Sequence, residues 1–170
     1  GQFTQQPGRA TRYPYYPDGV GAGPAREPKK EDEMLVDPRA LAVKNPPPPD
    51  QAFFTKIDGE SMEPWLPDGT IVLCKKCKQV TAAGRYVYWI DEENGTLCKR
   101  MEKVGEDELK VTSDNPEAAN WLLTHVEDDL YRTQDEQTIR IQVYGRVVYP
   151  PDTAKSIMEQ VTQQLKKVVG

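Results

Sequence analysis

Arg85-Tyr86-Val87-Tyr88-Trp89-Ile90-Asp91, then Glu92-Glu93-Asn94-Gly95, then Thr96-Leu97-Cys98-Lys99-Arg100-Met101 reads as two strands and the turn between them. Aromatic and β-branched residues crowd the first segment, and such side chains suit a pleated, half-buried surface. Asn-Gly is a strong hairpin signal because both residues tolerate positive φ. Along the second strand side chains alternate faces, so Lys99 and Arg100 point opposite ways, and one can be buried while the other stays in water. Lys99 is flanked by Leu97, Cys98 and Met101, beside a hairpin partner that carries Trp89.

Working outward, the same period of two recurs. Ala52-Phe53-Phe54 opens one strand and Thr70-Ile71-Val72-Leu73 another. Glu108–Ser113 continues a meander after a turn at Val104-Gly105-Glu106-Asp107. Ile139–Tyr149 is the longest strand signal, with Gly145 marking a bulge or bend inside it. No strand–helix–strand alternation is present, so the expected class is mainly β: a small, coiled β domain. The stretch Trp121-Leu122-Leu123-Thr124-His125, followed by Asp and Glu, reads as a loop.

Three regions follow from composition. Residues 1–49 form a flexible arm, closed off by Pro46-Pro47-Pro48-Pro49. Within the arm, Tyr13-Pro14-Tyr15-Tyr16-Pro17 is expected to lie extended on the domain surface, because each proline pushes its predecessor to β geometry. Residues 50–150 form the β body. In 151–170, Ile157, Val161, Leu165 and Val168 recur at helical spacing after a cap at Asp152 or Thr153. That helix either packs on the sheet or pairs with a partner chain.

Bulk properties narrow the function classes. The 170 residues suffice for one domain with a real core, and hardly for two. With 29% charged residues, a mean hydropathy of −0.72 and no apolar run near the roughly 20 residues that span a bilayer, a membrane role is set aside. No charged-then-apolar leader opens the sequence, and a cytoplasmic protein is expected. The formal charge of −5, with no basic stripe, argues against direct contact with a phosphate backbone. The opening Gly and the linker-like first residues are expected to be the start of a fragment.

The chemistry centres on Gly59-Glu60-Ser61-Met62-Glu63-Pro64. A serine hydroxyl attacks at neutral pH only if a neighbour takes its proton. The single histidine, His125, is far away in sequence, and nothing near it encourages a Ser-His-Asp triad. Lys99 is the better base, since burial among apolar groups lowers a lysine's pKa. Arg100 does not serve, because a guanidinium keeps its proton. Gly59 permits a tight turn before Ser61, and the backbone amides of Glu60 and Ser61 are candidates to face a developing oxyanion. Cys74, Cys77 and Cys98, with His125, would make a Cys₃His set by count, but no second metal knuckle supports it. Ordinary cysteines are expected, with no metal and no cofactor.

These residues resemble the nucleophile motif of LexA, LexA-like phage repressors and UmuD-type proteins, which share a serine–lysine dyad with signal peptidases. The resemblance rests on Ile57-Asp58-Gly59-Glu60-Ser61-Met62-Glu63-Pro64, on Leu66-Pro67-Asp68-Gly69, and on Leu97-Cys98-Lys99-Arg100-Met101. Asp114-Asn115-Pro116 is similar to the family's Asn-containing turn, and Gly145-Arg146-Val147-Val148 to its last strand. Thr70 departs from the family, standing where a second Asp is usual.

The resemblance implies a LexA-like fold with Ser61 as nucleophile and Lys99 as general base. It implies self-cleavage at Ala22-Gly23 within Val20-Gly21-Ala22-Gly23-Pro24, homodimers, and a RecA filament as co-protease. DNA would be bound only through an N-terminal helix-turn-helix domain, which this sequence lacks. The function so implied is the regulatory half of a repressor that derepresses genes in a stress response or prophage induction. A non-cleaving oligomerisation module and a UmuD-like polymerase accessory remain the alternatives.

Overall fold

In the computed structural model, which describes residues 10–18, 32–91, 93, 95–152 and 164–168, the alternating stretches are strands. In chain order they are β1 (Thr11–Tyr16), β2 (Glu33–Val36), β3 (Ala52–Lys56), β4 (Ile71–Lys76) and β5 (Gly84–Ile90). Then come β6 (Leu97–Lys103), β7 (Glu108–Thr112), β8 (Trp121–Glu127), β9 (Leu130–Arg132) and β10 (Thr138–Tyr149). They share one sheet in the order β2-β1-β3-β4-β10-β5-β6-β7-β8-β9, and β10 pairs with β9 as well. That extra pairing closes β5 through β10 into a barrel, leaving β4, β3, β1 and β2 as a flanking extension.

β10 makes this possible by changing partners along one edge. Its first residues pair with β9 and its last with β4, while β5 runs along the other edge. The expected bulge sits at Gly145, where the register against β5 shifts between Val143 and Gly145. A Cβ at Gly145 would lie 2.8 Å from the Lys75 carbonyl and 3.0 Å from the Phe53 ring. Only glycine lets β4 approach that closely.

Alternation sorts the side chains into two main cores, and Tyr13, Ala52, Phe54 and Leu73 form a third, smaller cluster. Tyr86, Tyr88, Met101, Leu109, Val111, Leu123, Ile141 and Val143 fill the barrel. On the other face Phe53, Val72, Cys74, Val87, Cys98 and Val147 pack together with Met62 and Leu66. Burying each such apolar side chain contributes about 1.5–3 kcal/mol, which is what holds the closed sheet against chain entropy.

The Tyr13–Pro17 segment is extended as expected, but it is not superficial. β1 pairs parallel with β3, and Tyr13 and Tyr16 are buried. The Tyr13 hydroxyl donates to the Pro47 carbonyl at 2.8 Å, and its ring meets Phe54 edge-on at 5.5 Å. The stretch read as a loop around His125 is strand β8, paired with β7 and β9. Of the C-terminal helix, residues 164–168 are helical, with Leu165 58% and Val168 84% exposed. These two side chains are therefore not buried on the sheet, and Ile157 and Val161 lie outside the described residues. No helix among the described residues is long and apolar enough to cross a membrane.

Candidate active site

The loop between β3 and β4 is pinned at both ends. Ile57 N–H donates to the Thr70 carbonyl at 3.0 Å, and Gly69 N–H to the Ile57 carbonyl at 2.9 Å. Gly59 (φ +89°) and Gly69 (φ +84°) occupy left-handed backbone that a side chain would strain. The Asp68 carboxylate accepts from Gly59 N–H at 2.8 Å. Thr70, at the position where the family usually has Asp, donates its hydroxyl to the Pro67 carbonyl at 2.5 Å. Between these ties residues 61–65 make a short turn, and the side chains of Met62 within it and Leu66 just after it are buried in the second core. The apolar pair anchors the turn, and Ser61 is left half-buried at its start.

This loop docks along a free edge of β6. Asp58 N–H donates to the Thr96 carbonyl at 2.8 Å, and Thr96 N–H donates back to the Asp58 carboxylate at 2.8 Å. The Ser61 hydroxyl then donates to the Cys98 carbonyl at 2.7 Å. From Arg100 onward the same edge is taken by β7. The serine is thus delivered to the backbone of the residue that precedes Lys99. Asn115 fastens the loop from its other side: its N–H donates to the Ser61 carbonyl and its side-chain amide to the Glu60 carbonyl, both at 3.0 Å. The amides of Glu60, Ser61 and Met62 meet no acceptor among the described residues.

Lys99 is 5% exposed, in register with Tyr86 on β5. Its Nζ donates to the Ser113 hydroxyl and, at 2.5 Å, to the Ala119 carbonyl. The aromatic beside it is Trp121, whose ring centre is 4.5 Å from Nζ, and not the expected Trp89, which pairs with Gln142. Burial holds the Lys99 amine below the ordinary lysine value of 10.5, with the Glu93 carboxylate pulling the other way. Among the described residues no hydrogen bond joins Nζ to the Ser61 hydroxyl. Each partner of the pair is engaged elsewhere: Ser61 with the Cys98 carbonyl on β6, and Nζ with Ser113 and Ala119 beyond the end of β7.

Arg100, expected to stay in water, is instead held by two carboxylates and only 23% exposed at its side chain. It donates to both oxygens of Asp114, at 2.5 and 3.0 Å, and to both oxygens of Asp152, at 2.6 and 2.7 Å. Ala22 and Gly23 lie outside the described residues.

The cysteines are unpaired, and Cys74 and Cys98 are buried in the second core. Burial pushes the Cys98 thiol up to about 12 and the Cys74 thiol well above its usual value. His125 is exposed and its Nε2 sits 2.8 Å from the Asp128 carbonyl. It borders a 630 Å³ cavity with Leu109, Tyr131 and Ile141, which neither Ser61 nor Lys99 lines. No cluster of three or more His, Cys, Asp or Glu side chains among the described residues is arranged to hold a metal.

Sequence reasoning named Ser61, Lys99 and the Asn115 turn but missed Ser113, Ala119 and Trp121. The one available signal was Ser113 itself, a small hydroxyl placed where the meander strand ends.

No curated protein matches the chain closely enough to be called a relative. Residues 14–148, well over half of the sequence, match the profile of the peptidase S24-like family and span both the Ser61 loop and the Lys99 strand. The chain belongs to the S24-like peptidases.

Proposed function

We propose that this domain is the self-cleaving regulatory part of a LexA-like repressor, with Ser61 as nucleophile and Lys99 as general base. The observation that carries the reading is the delivery of the Ser61 hydroxyl to the Cys98 carbonyl, next to a buried lysine. Lys99 as a free amine takes the Ser61 proton while Oγ attacks the Ala22 carbonyl carbon. The oxyanion that forms is met by the unengaged amides of Glu60 and Ser61. The Ala22–Gly23 bond then breaks as Nζ returns the proton to the Gly23 amine, and water hydrolyses the Ser61 ester.

The ground state is latent in this reading. Ser61 must turn from the Cys98 carbonyl, and Nζ must release the Ala119 carbonyl while Ser113 still holds it, before they meet. A docked substrate arm that excludes water favours that exchange, and stabilising a minor docked state is how a partner would switch cutting on. A RecA filament fits that role. The domain would pair as a homodimer and hold DNA through a separate helix-turn-helix unit, so that cutting at Ala22–Gly23 relieves repression.

Mass spectrometry of the purified chain from neutral to alkaline pH tests this, with Ser61→Ala and Lys99→Ala alongside. Fragments 1–22 and 23–170 should form in the parent alone, at a rate independent of concentration. Their absence at every pH, with or without an activating filament, sinks the proposal.

A further inference from the structure

β10 ends at Tyr149, and the next three residues turn back over β5 and β6. The Pro150 carbonyl accepts from Arg85, which is 4% exposed, and the Asp152 carboxylate takes the far side of Arg100. Arg85 and Arg100 are directly opposite each other on the two strands. Two like charges side by side in a half-buried place repel, and carboxylates at both ends of Arg100 offset that. The second carboxylate, Asp114, begins the loop that serves the active site. One residue before it, Ser113 accepts from Lys99; one residue after it, Asn115 donates to the carbonyls of Glu60 and Ser61; Ala119 supplies the second acceptor for Nζ.

The geometry points to Asp152 as a positioning residue of the Ser61–Lys99 site, acting through Arg100 and Asp114; this rests on the dyad reading above. Arg100 is planar and has donors on two edges, so it fixes the two carboxylates relative to each other. Asp152 sets the guanidinium, the guanidinium sets Asp114, and Asp114 sets the loop that holds the lysine dry and the serine turn in place. Without Asp152 the loop moves, water reaches Nζ, and the amine titrates nearer the value of an ordinary lysine. The residues that follow β10 are thereby joined to the site by two side chains.

The test has two readouts in the full-length chain. Lysine labelled with ¹³C at Cε, in a Ser61→Ala background, reports the titration midpoint of Lys99 without any cutting. Self-cleavage rates against pH, with Ser61 intact, report function. Asp152→Asn should move the Lys99 midpoint up by about one pH unit and slow cutting at neutral pH about tenfold, since tenfold less free amine is then present. Asp152→Glu, which keeps the carboxylate, should restore most of both. Arg100→Lys, which cannot bridge two carboxylates, should mimic Asp152→Asn and carries the test if the latter does not fold.

An unchanged Lys99 midpoint in both Asp152→Asn and Arg100→Lys overturns the assignment. So does an equal shift in Asn and Glu variants that merely tracks their melting temperatures. If the parent cuts at no pH while the midpoint still moves, the cleavage reading fails and the positioning role stands.

Discussion

The hydroxyl of Ser61 donates to the carbonyl of Cys98 across 2.7 Å, so the serine proton is committed to the backbone of the strand that carries Lys99. A hydroxyl used as a donor in this way still keeps its lone pairs, and the lysine's Nζ is itself bound to the Ser113 hydroxyl and the Ala119 carbonyl. The pair is built and disengaged at once. On the proposed reading, that arrangement would let the chain carry a peptidase site next to its own backbone without constant attack.

Ser113 should matter to cutting more than to folding. Its hydroxyl accepts from Nζ and donates to the Ala119 carbonyl at 2.7 Å, so it orients the amine from behind. A hydrogen bond to a charged group is worth about 1.5–3 kcal/mol, or roughly 10- to 100-fold in rate if lost on the way to the transition state. Ser113→Ala should slow cleavage within that range while leaving the melting temperature within a few degrees of the parent. A rate equal to the parent's would remove Ser113 from the site.

The lowered Lys99 pKa fixes the sign of two pH effects. In the folded chain Nζ gives up its proton before the unfolded chain does, so between the folded midpoint and 10.5 the unfolded state binds more protons. Stability contributed by this group is therefore present above 10.5 and lost as pH falls through the folded midpoint. Measured by urea unfolding, Ser61→Ala should gain stability relative to Ser61→Ala/Lys99→Met as pH rises through that window. Cleavage by the parent should climb as pH rises to the folded midpoint and level off above it, still below 10.5. A relative loss of stability with rising pH would contradict the burial argument.

Gly145→Ala should be costly. The added methyl would meet the Lys75 carbonyl at 2.8 Å, a backbone atom that gives way only if β4 and β10 separate. Overpacking of this kind costs about 1–3 kcal/mol, or roughly 2–4 °C of melting temperature per kcal/mol at this size. Calorimetry on the Ser61→Ala background would read it; an unchanged melting temperature would show that the two strands are further apart in solution.

Thiol chemistry should separate the three cysteines. Cys74 and Cys98 are buried with raised pKa values; burial raises the Cys77 thiol too, but that residue is only half-buried, and the charges of Arg146 and Lys75 partly offset the rise. Mild alkylation of the folded chain should label Cys77 first, and all three only after unfolding. Early labelling of Cys98 would mean that the strand next to Lys99 opens readily.

Much of this was legible in the residues because it is local. The β5–β6 hairpin, the Gly145 bulge and the glycine-bounded serine loop each declare themselves within a dozen positions. What escaped depends on which strands become neighbours. β8 was obscured because its acidic residues resemble loop composition, although Leu123 packs into the barrel. Tyr13 and Tyr16 were read as superficial because β1 docks on β3 through a parallel pairing, Tyr15 with Phe54 and Tyr16 with Thr55, that joins segments about 40 positions apart. Trp121 replaced Trp89 as the neighbour of Lys99 for the same reason: it arrives through β7, two strands over, and no periodicity reports that. Arg100 was placed in water by simple alternation, because the carboxylates that claim it come from a later loop and from the end of the body.

The order of the strands also has a consequence in time. The half of the sheet that carries Ser61 and the half that carries Lys99 are bridged by β10, which lies between β4 and β5 and is the last strand among the described residues. During synthesis residues 61 and 99 leave the ribosome well before Tyr149 does. If the proposed self-cleavage holds, a nascent chain would carry both groups before β10 joins the two halves of the sheet, and its N-terminal arm would be open to cutting only after the body is translated.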